Sequence, residues 1–233
     1  MEFLKVKKVF QVVGFLFIVS IFFPGISISE SQEVSKERLS FWAKEGKRIK
    51  KLRIVSILKK FKTGLSETAQ TEMAELIYSE SYQYGFDPEL ILALVVKESS
   101  IYNWSKSRVG ALGLMQIRPT TGRALAKAIN IPWNGKKTLF KPHLNIKLGT
   151  HYLAKLVDRF GKIEVALTAY NYGPTRVARM LKKDQTLPKA YAHRILGTYQ
   201  RFKELNQIQL VESWDPNDPV QTWDENGLGY LKV

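Results

Sequence analysis

One glutamate, Glu98, stands out among the residues of this 233-residue chain that could perform acid–base chemistry. It closes the apolar run ELILALVVKES, and the next Asp or Glu along the chain is Asp158. Most glycosidases need two carboxyl groups, one as acid and one as base or nucleophile. A single carboxyl group can do both jobs when the substrate supplies its own nucleophile, such as a neighbouring N-acetyl group. Folding could still bring a second acid close, the candidates being Glu75, Glu80, Asp158 and Glu164.

The position of Glu98 at the carboxyl end of an apolar helix predicts a raised pKa for this side chain. Burial disfavours the anion, and the negative end of the helix dipole repels it. A glutamic acid that is still protonated near neutral pH meets the requirement for a general acid. The alternative is a partly exposed side chain at a fraying helix end, neutralised by Lys97 or Arg108. Spacing alone leaves both interpretations open.

The elements that must position Glu98 are predicted to be helices over residues 66–205. An amphipathic helix opens this range and is stopped by Gly85. Asp87-Pro88 then supplies an N-cap followed by proline at the first helical position. The next helix is apolar almost all round, which predicts a buried position and an all-α domain. Further helical patterns follow, separated by Gly, Pro and Asn: TTGRALAKAIN, NIKLGTHYLAKLVDRF, EVALTAYNYG, TRVARMLKK and KAYAHRILGTYQRF.

The N-terminal residues predict export from the cytoplasm. Three lysines precede an uncharged, apolar run at residues 9–23, a pattern typical of a secretory signal. The run is short for a spanning helix, which needs ~20 residues, although reading on through Ile28 allows an uncleaved anchor. Residues 1–29 are therefore predicted to be a signal peptide or an N-terminal membrane anchor, with the protein in the bacterial cell envelope, periplasmic or held at the inner membrane. The chain has no cysteine, which excludes disulfides and thiolate zinc sites.

The formal net charge of +15 predicts an acidic partner, and nucleic acid, anionic lipid and anionic wall polymer all qualify. Export argues against nucleic acid. Residues 30–66 interleave basic and apolar residues at roughly helical spacing, and such a helix can lie on anionic lipid. We therefore expect residues 34–62 to contact an anionic membrane surface; the alternative is a solvated helix that packs on the main domain or simply tethers it. Residues 206–233 are acidic and rich in Pro, Asn and Gly, which predicts an irregular C-terminal tail.

Four ordered blocks in the chain resemble the lytic transglycosylase SLT-domain family, whose members are goose-lysozyme-like. The blocks are ES at 98–99, S..GALGLMQI.P.T at 107–121, NIKLGTHYL at 145–153 and TAYNYGP at 168–174. The resemblance covers residues 67–205 and implies an all-α, lysozyme-like fold. It also implies cleavage of the MurNAc–GlcNAc β-1,4 bond of peptidoglycan without water, leaving a 1,6-anhydro-MurNAc end and requiring no metal or cofactor. The alternatives are a hydrolase, as in goose-type lysozymes, and a wall-binding assembly factor of an envelope machine.

The same resemblance implies roles for individual residues. Glu98 matches the family's acid/base, and Tyr170 matches a tyrosine that lies beside that acid. The remaining matches are to residues that bind or face the substrate: Ser107 at the reacting sugar's N-acetyl group, Met115 and Gln116 at the cleft floor after Gly113, Asn171 at a sugar, and Tyr191 on the last helix facing the cleft. Two of them have structural alternatives, since Met115 could belong to the core and Asn171 could cap a helix.

The chain departs from the family pattern after Glu98, where Ile101, Tyr102 and Asn103 replace the usual aromatic-Asn-Pro. The rim of the cleft and its contacts with sugars are therefore expected to differ. Trp104 and Trp133 could stack on sugars there or pack against the protein. The three histidines do not have the spacing of a metal site, and all three are predicted to be solvated: His143, His151 and His193.

Overall fold

The computed structural model describes the backbone of residues 28–61, 63–212, 222–223 and 229–230. The apolar run expected to be a signal or anchor lies outside these residues, as does most of the expected tail. Within the described ranges, no helix has both the length and the apolar character that a membrane span requires. The chain divides into two compact units, residues 1–49 and residues 50–233.

Helices dominate the described residues, which confirms the all-α prediction. They are α1 (Ile28–Lys59), α2 (Glu67–Gln83), α3 (Pro88–Ser99), α4 (Pro119–Ala128), a 3-10 helix (Gly135–Phe140), α5 (Pro142–Phe160), α6 (Ile163–Tyr172), α7 (Pro174–Lys182) and α8 (Ala190–Glu212). Two-residue strands β1 (Thr222–Trp223) and β2 (Gly229–Tyr230) pair antiparallel, with Thr222 opposite Tyr230. Helix α8 continues to Glu212, past the boundary that the sequence placed at residue 205.

The carboxyl-terminal part of α1 belongs to the second compact unit, whereas the sequence placed the start of the domain at residue 67. Ile54, Ile57 and Leu58 are fully buried in the core of that unit. At the surface, the Lys59 ammonium lies 3.0 Å from the Glu67 carboxylate of α2. The buried face shows that this part of α1 packs on the domain, in agreement with the second of the two interpretations of the basic segment.

Helix α3 lies in the middle of the core and carries Glu98 near its end. The Asp87 side chain caps the helix by accepting a hydrogen bond from the Glu89 amide, with proline at the first helical position, as the sequence predicts. Residues 88–95 are all buried, and α3 packs mainly against α8 and also against α2. The helix ends at Ser100 and Ile101, whose φ angles of 51° and 66° turn the chain sharply away. This turn begins the loop at residues 100–111, which leads away from the helix end that carries Glu98.

Candidate active site

Glu98 is half-buried at the carboxyl end of α3. Burial raises the pKa of its carboxyl group, while a hydrogen bond from Tyr191 and the charge of Lys97 act in the opposite direction. The raised pKa expected from the sequence is confirmed, and burial is the dominant cause. A carboxyl group of this kind holds its proton more tightly than an exposed glutamate does, which is the property that a general acid requires.

Tyr191 on α8 is the side chain that contacts the acid directly. Its hydroxyl donates a hydrogen bond to Glu98 Oε1, and the residue is only 5% exposed. Burial, together with the nearby charge of Glu98, raises the pKa of Tyr191 far above its usual range. The hydroxyl therefore remains a protonated donor at any physiological pH. Because it donates to one carboxyl oxygen, the proton of Glu98 is directed to the other oxygen.

Tyr170 on α6 lies near Glu98, but its hydroxyl is bound to a backbone carbonyl and not to the acid. Its hydroxyl donates to the Met115 carbonyl at 2.9 Å, and its ring lies 5.1 Å from the Tyr152 ring. Burial raises the pKa of Tyr170 well above its ordinary value, and the charge of Glu98 adds to that effect, so the two residues are close enough to interact. Tyr170 thus supports the cleft floor from behind, whereas the hydrogen bond to the carboxyl group comes from Tyr191.

A tight turn at residues 112–117, the expected cleft floor, accepts the Tyr170 hydrogen bond at the Met115 carbonyl. The Leu112 and Ile117 backbones exchange two hydrogen bonds of 3.0 Å, which close the turn. Gly113 has a φ of 78°, and a Cβ added there would lie 2.8 Å from Asn145 Cγ. Both the backbone conformation and the close approach therefore require glycine at this position.

Asn145 on α5 holds this turn in place, a role that sequence reasoning missed. The side chain is fully buried. Its Oδ1 accepts a hydrogen bond from the Met115 amide at 2.7 Å, and its Nδ2 donates to the carbonyls of Leu112 at 3.0 Å and Leu139 at 2.7 Å. A signal was available, because Asn145 directly precedes Ile146 on the apolar side of a predicted helix. A polar side chain there has to find partners inside the protein.

Met115 is fully buried, so the expectation that its side chain touches substrate is wrong for this structure. The side chain packs against Gly149 of α5, and its sulfur lies 3.9 Å from Thr150 Oγ1. A Cβ at position 149 would lie 2.7 Å from Met115 Cβ. Because Gly149 has no side chain, it leaves a slot on α5 in which the Met115 side chain packs within the core.

Gln116 and Asn171 lie at a cavity of about 210 Å³ beside this floor. The Gln116 amide donates through Nε2 to the Gly113 carbonyl at 2.8 Å and to the Ser105 carbonyl at 3.2 Å. Asn171 is exposed at the end of α6, but the capping residue of that helix is Gly173, so the alternative role of Asn171 as a cap is wrong. The cavity is lined by Gln116, Ile117, Arg118, Thr121, Tyr152, Tyr170, Asn171, Tyr172, Gly173 and Pro174.

Ser107 is half-buried in the loop that joins α3 to the cleft floor. Its Oγ accepts a hydrogen bond from the Ala111 amide at 2.9 Å, while its own amide donates to the Ala111 carbonyl at 2.9 Å. Ser107 thus closes the turn at residues 107–111. Its contact with a sugar remains a prediction.

The four acids that folding could have brought to Glu98 interact with other groups. Glu75 lies 2.6 Å from the Lys51 ammonium at the surface, and Glu80 is buried beside Lys147. Asp158 interacts with His151. Glu164, in the first turn of α6, lines a separate cavity. None of these acids is among the groups that shift the pKa of Glu98. This arrangement favours a site with one carboxyl group.

The exposure of the three histidines agrees with the sequence prediction for two of them, and the two tryptophans considered as sugar contacts differ in exposure. His143 and His193 are exposed, whereas His151 is half-buried with its ring 5.7 Å from the Tyr84 ring, and burial lowers its pKa. The prediction of a solvated side chain is therefore wrong for His151, because α2 covers that face of α5. Trp133 is half-buried and packs against the core, while Trp104 is exposed.

Comparisons of the sequence with known proteins point to one family. The family model of the transglycosylase SLT domain matches residues 75–192. The transglycosylase of Enterobacteria phage PRD1 is 36% identical over 114 residues, which are 49% of this chain and 39% of the phage protein. The membrane-bound lytic murein transglycosylase C of Sodalis glossinidius is 36% identical over 121 residues, which are 47% of this chain and 34% of that protein. The chain therefore spans well under half the length of these relatives.

Solved structures give the same result for the fold. The 70 kDa soluble lytic transglycosylase of Escherichia coli superposes with a TM-score of 0.52 at 27% identity, covering 56% of this chain and 24% of that protein. A 70 kDa soluble lytic transglycosylase in complex with bulgecin A superposes with a TM-score of 0.51, also at 27% identity and with the same coverage.

Proposed function

Because this chain belongs to the transglycosylase SLT-domain family, we propose that it is a peptidoglycan lytic transglycosylase of the bacterial cell envelope. It cleaves the MurNAc–GlcNAc β-1,4 bond and leaves a 1,6-anhydro-MurNAc end. The observation that carries the proposal is the environment of Glu98, a carboxyl group whose pKa is raised by burial and which receives a hydrogen bond from Tyr191. The names of the curated relatives, which act on murein, support the same substrate.

The proposed reaction uses Glu98 twice. The protonated carboxyl group first donates its proton to the glycosidic oxygen as the bond between that oxygen and the anomeric carbon breaks. The carbonyl oxygen of the substrate's own N-acetyl group bonds to the anomeric carbon and forms an oxazolinium ring. Glu98, now a carboxylate, then accepts the proton of the 6-hydroxyl group as its oxygen attacks the anomeric carbon and opens that ring. The carboxyl group is regenerated, and no water is consumed.

The surrounding residues support this sequence of steps. Tyr191 stabilises the carboxylate formed after the first proton transfer, because its hydroxyl already donates to Oε1. Gln116 and Asn171 line the cavity and have amide groups able to bind the hydroxyl and N-acetyl groups of sugars. Ser107 contacts the N-acetyl group of the reacting sugar. Tyr170 fixes the floor by its bond to the Met115 carbonyl.

The product of sacculus digestion tests the proposal. The full chain is incubated with purified sacculi in heavy-oxygen water, and the released muropeptides are measured by mass spectrometry. We expect 1,6-anhydro ends without incorporated label. Labelled reducing ends would identify a hydrolase instead, and binding to sacculi without any cleavage would identify a wall-binding factor.

A further inference from the structure

The loop at residues 100–111, between Glu98 and the cleft floor, carries an unusual group of exposed apolar side chains. Tyr102 is 60% exposed, Trp104 is 59% exposed and Val109 is 71% exposed. Single exposed apolar residues are ordinary on protein surfaces, whereas contiguous ones mark binding sites. Three of them in one short loop that follows the proposed acid make this loop a candidate binding surface.

Trp104 is held in a defined orientation despite its exposure. Its ring stacks on Phe140 with centroids 5.2 Å apart and an interplanar angle of 30°. The neighbouring Asn103 fastens the loop by donating from Nδ2 to the Phe140 carbonyl at 2.7 Å. The indole therefore has one face supported by protein while the rest of its surface is open. A ligand that stacks on it does not have to order the ring, which favours binding.

The loop that carries Trp104 is joined directly to the cleft floor. The Ser105 carbonyl accepts hydrogen bonds from the Gly113 amide at 2.9 Å and from Gln116 Nε2 at 3.2 Å. Lys106, next along the chain, pairs with Leu112 in a β-bridge. Trp104 thus directly precedes the residue that binds Gln116, which lines the cavity. The backbone therefore links Trp104 to the cavity through Ser105 and Gln116.

A cation completes the group. Lys106 Nζ lies 5.5 Å from the centroid of the Phe140 ring, so that an ammonium group and an exposed indole share the same supporting ring. Aromatic rings hold a cation near their faces, so Phe140 orders the Lys106 ammonium group as well as the Trp104 ring. An open aromatic surface and a cation ordered by the same ring suit a ligand that has an apolar face and an anionic substituent.

We propose that Trp104, Phe140 and Lys106, here called the Trp104 platform, form a glycan subsite outside the cavity. The apolar face of a pyranose ring covers the indole of Trp104 and removes it from water. Lys106 pairs with a carboxylate of the peptide carried by the bound glycan. This inference rests on the proposed function, because it identifies how the same substrate is held beyond the reacting sugars.

Binding by a protein that cannot turn over its substrate tests the platform separately from catalysis. In a Glu98→Gln background, Trp104→Ala should weaken binding of peptide-bearing glycan oligosaccharides about tenfold, the size expected for one lost aromatic contact. Trp104→Phe should retain most of the affinity. Tyr82→Ala is the matched control, because Tyr82 is 70% exposed and also stacks on an aromatic ring, Tyr78, but on α2. Its affinity should not change.

The active protein gives the second measurement. Trp104→Ala should raise KM about tenfold with little change in kcat, since the platform binds sugars away from the reacting bond. Affinity and KM equal to those of the unsubstituted protein would overturn the proposal while leaving the proposed function intact. If the unsubstituted chain binds glycan through Trp104 but cleaves nothing, the platform stands and the proposed function fails.

Lys106→Gln tests the anionic part of the ligand. Affinity for peptide-bearing glycan should fall several-fold, while affinity for the same glycan with its peptide carboxyl groups amidated should stay constant, because only the former carries a free peptide carboxylate. An equal loss on both glycans, or no loss on either, would overturn the assignment of Lys106. Thermal unfolding of each variant shows whether a loss of affinity reflects a loss of folded protein.

Discussion

Glu98 and Tyr191 are the two side chains on which the proposed chemistry depends. Burial favours the protonated form of the Glu98 carboxyl group, whereas the Tyr191 hydroxyl stabilises the carboxylate by donating to Oε1. Burial is the larger effect, so that the pKa remains raised. The opposition of the two keeps the carboxyl group able to lose and regain a proton within one turnover.

Substitution of the acid gives the first prediction. Glu98→Gln keeps the volume and an acceptor for Tyr191 but removes the titratable proton, so turnover should fall by at least ~10²-fold. Release of muropeptides from sacculi measures the effect, and thermal unfolding verifies the fold. Asp158→Asn, at an exposed acid, serves as control and should keep near-normal activity. Comparable muropeptide release by a well-folded Glu98→Gln variant would exclude the mechanism.

Removal of the tyrosine hydroxyl gives the second prediction. The hydrogen bond from Tyr191 lowers the pKa of Glu98, so Tyr191→Phe should raise it further. Since the protonated carboxyl group is the active acid, the alkaline limb of the kcat/KM profile should move to higher pH. Tyr170→Phe should leave that limb in place, because the Tyr170 hydroxyl donates to the Met115 carbonyl. An unmoved limb in Tyr191→Phe would show that the hydrogen bond does not tune the acid.

Helices α3, α5 and α8 together fix the site at the scale of secondary-structure elements. Helix α3 carries the acid, α8 carries its hydrogen-bond donor, and α5 supplies both Asn145 and the slot at Gly149 that hold the cleft floor. Because α5 holds the cleft floor, a displacement of α5 would also move side chains that do not contact α5 themselves.

Two glycine substitutions on different helices test the slot. Gly149→Ala should destabilise the protein by about 1–3 kcal/mol, because the added methyl group would overlap Met115 in a filled core. Gly197→Ala on α8 should instead stabilise it by about 0.5–1 kcal/mol, because a Cβ there meets no atom within 4 Å and alanine favours the helix. Urea unfolding measures both changes. Equal effects in the two variants would contradict the packing described for α5.

Two acids at the start of α3, half-buried Asp87 and buried Glu89, lie at the end of the helix opposite Glu98, and Asp87 joins this end to α8. Asp87 Oδ2 accepts a hydrogen bond from the Tyr199 hydroxyl at 2.7 Å. Burial, followed by the hydrogen bond to Asp87, raises the pKa of Glu89 to about 7. The charge of Arg53 acts against this shift. Glu89 therefore holds its proton more tightly than an exposed glutamate does, whereas for Asp87 burial is outweighed by its hydrogen bonds, which lower the pKa of that carboxyl group.

The pH dependence of stability gives a fourth prediction. The pKa of Glu89 is higher in the folded protein than its ordinary value of 4.5, so the folded state binds this proton more tightly. Its contribution to stability is therefore complete below about pH 4.5 and is lost as the pH rises towards and beyond about 7. Glu89→Gln, which stays neutral, should reduce the fall in Tm across this range. Glu75→Gln, at a surface ion pair with Lys51, should have little effect at any pH. An unaltered slope in Glu89→Gln would contradict the shift.

At the scale of the whole molecule, two roles are expected for the basic segment at residues 34–62. It carries eleven basic and two acidic residues, which suits an anionic membrane surface. Its final part also contributes Ile54, Ile57 and Leu58 to the core of the second compact unit. These two roles predict different results for removal of residues 1–49 and for removal of residues 1–62.

Removal of residues 1–49 should leave the fold and the activity on soluble glycan fragments intact, because the second unit keeps its core. Binding to anionic vesicles should weaken, most visibly at low salt, since the attraction is screened within ~8 Å at physiological ionic strength. Removal of residues 1–62 should instead unfold the domain. Circular dichroism and vesicle sedimentation distinguish the outcomes, and unchanged vesicle binding at low salt would rule out the membrane contact.

Local signals were sufficient to predict the fold class and the raised pKa of Glu98. The N-cap at Asp87 and the apolar residues that follow predicted α3, and the structure has it from Pro88 to Ser99. The raised pKa of Glu98 followed from the end of that same helix. Caps, periodicity and helix dipoles act over a few residues, so the sequence expresses them directly.

Only the tertiary structure decided which side chains meet. Tyr191 lies 93 residues after Glu98, and Tyr170 lies 55 residues after the carbonyl that it contacts. Whether Met115 faces the cleft or the core depends on Gly149, on another helix. Periodicity reports which side of a helix is apolar, but contacts between distant residues depend on how helices pack. The sequence by itself therefore determined an all-α domain and the raised pKa of Glu98, and packing decided which hydroxyl donates to that carboxyl group and which side chains support the cleft floor.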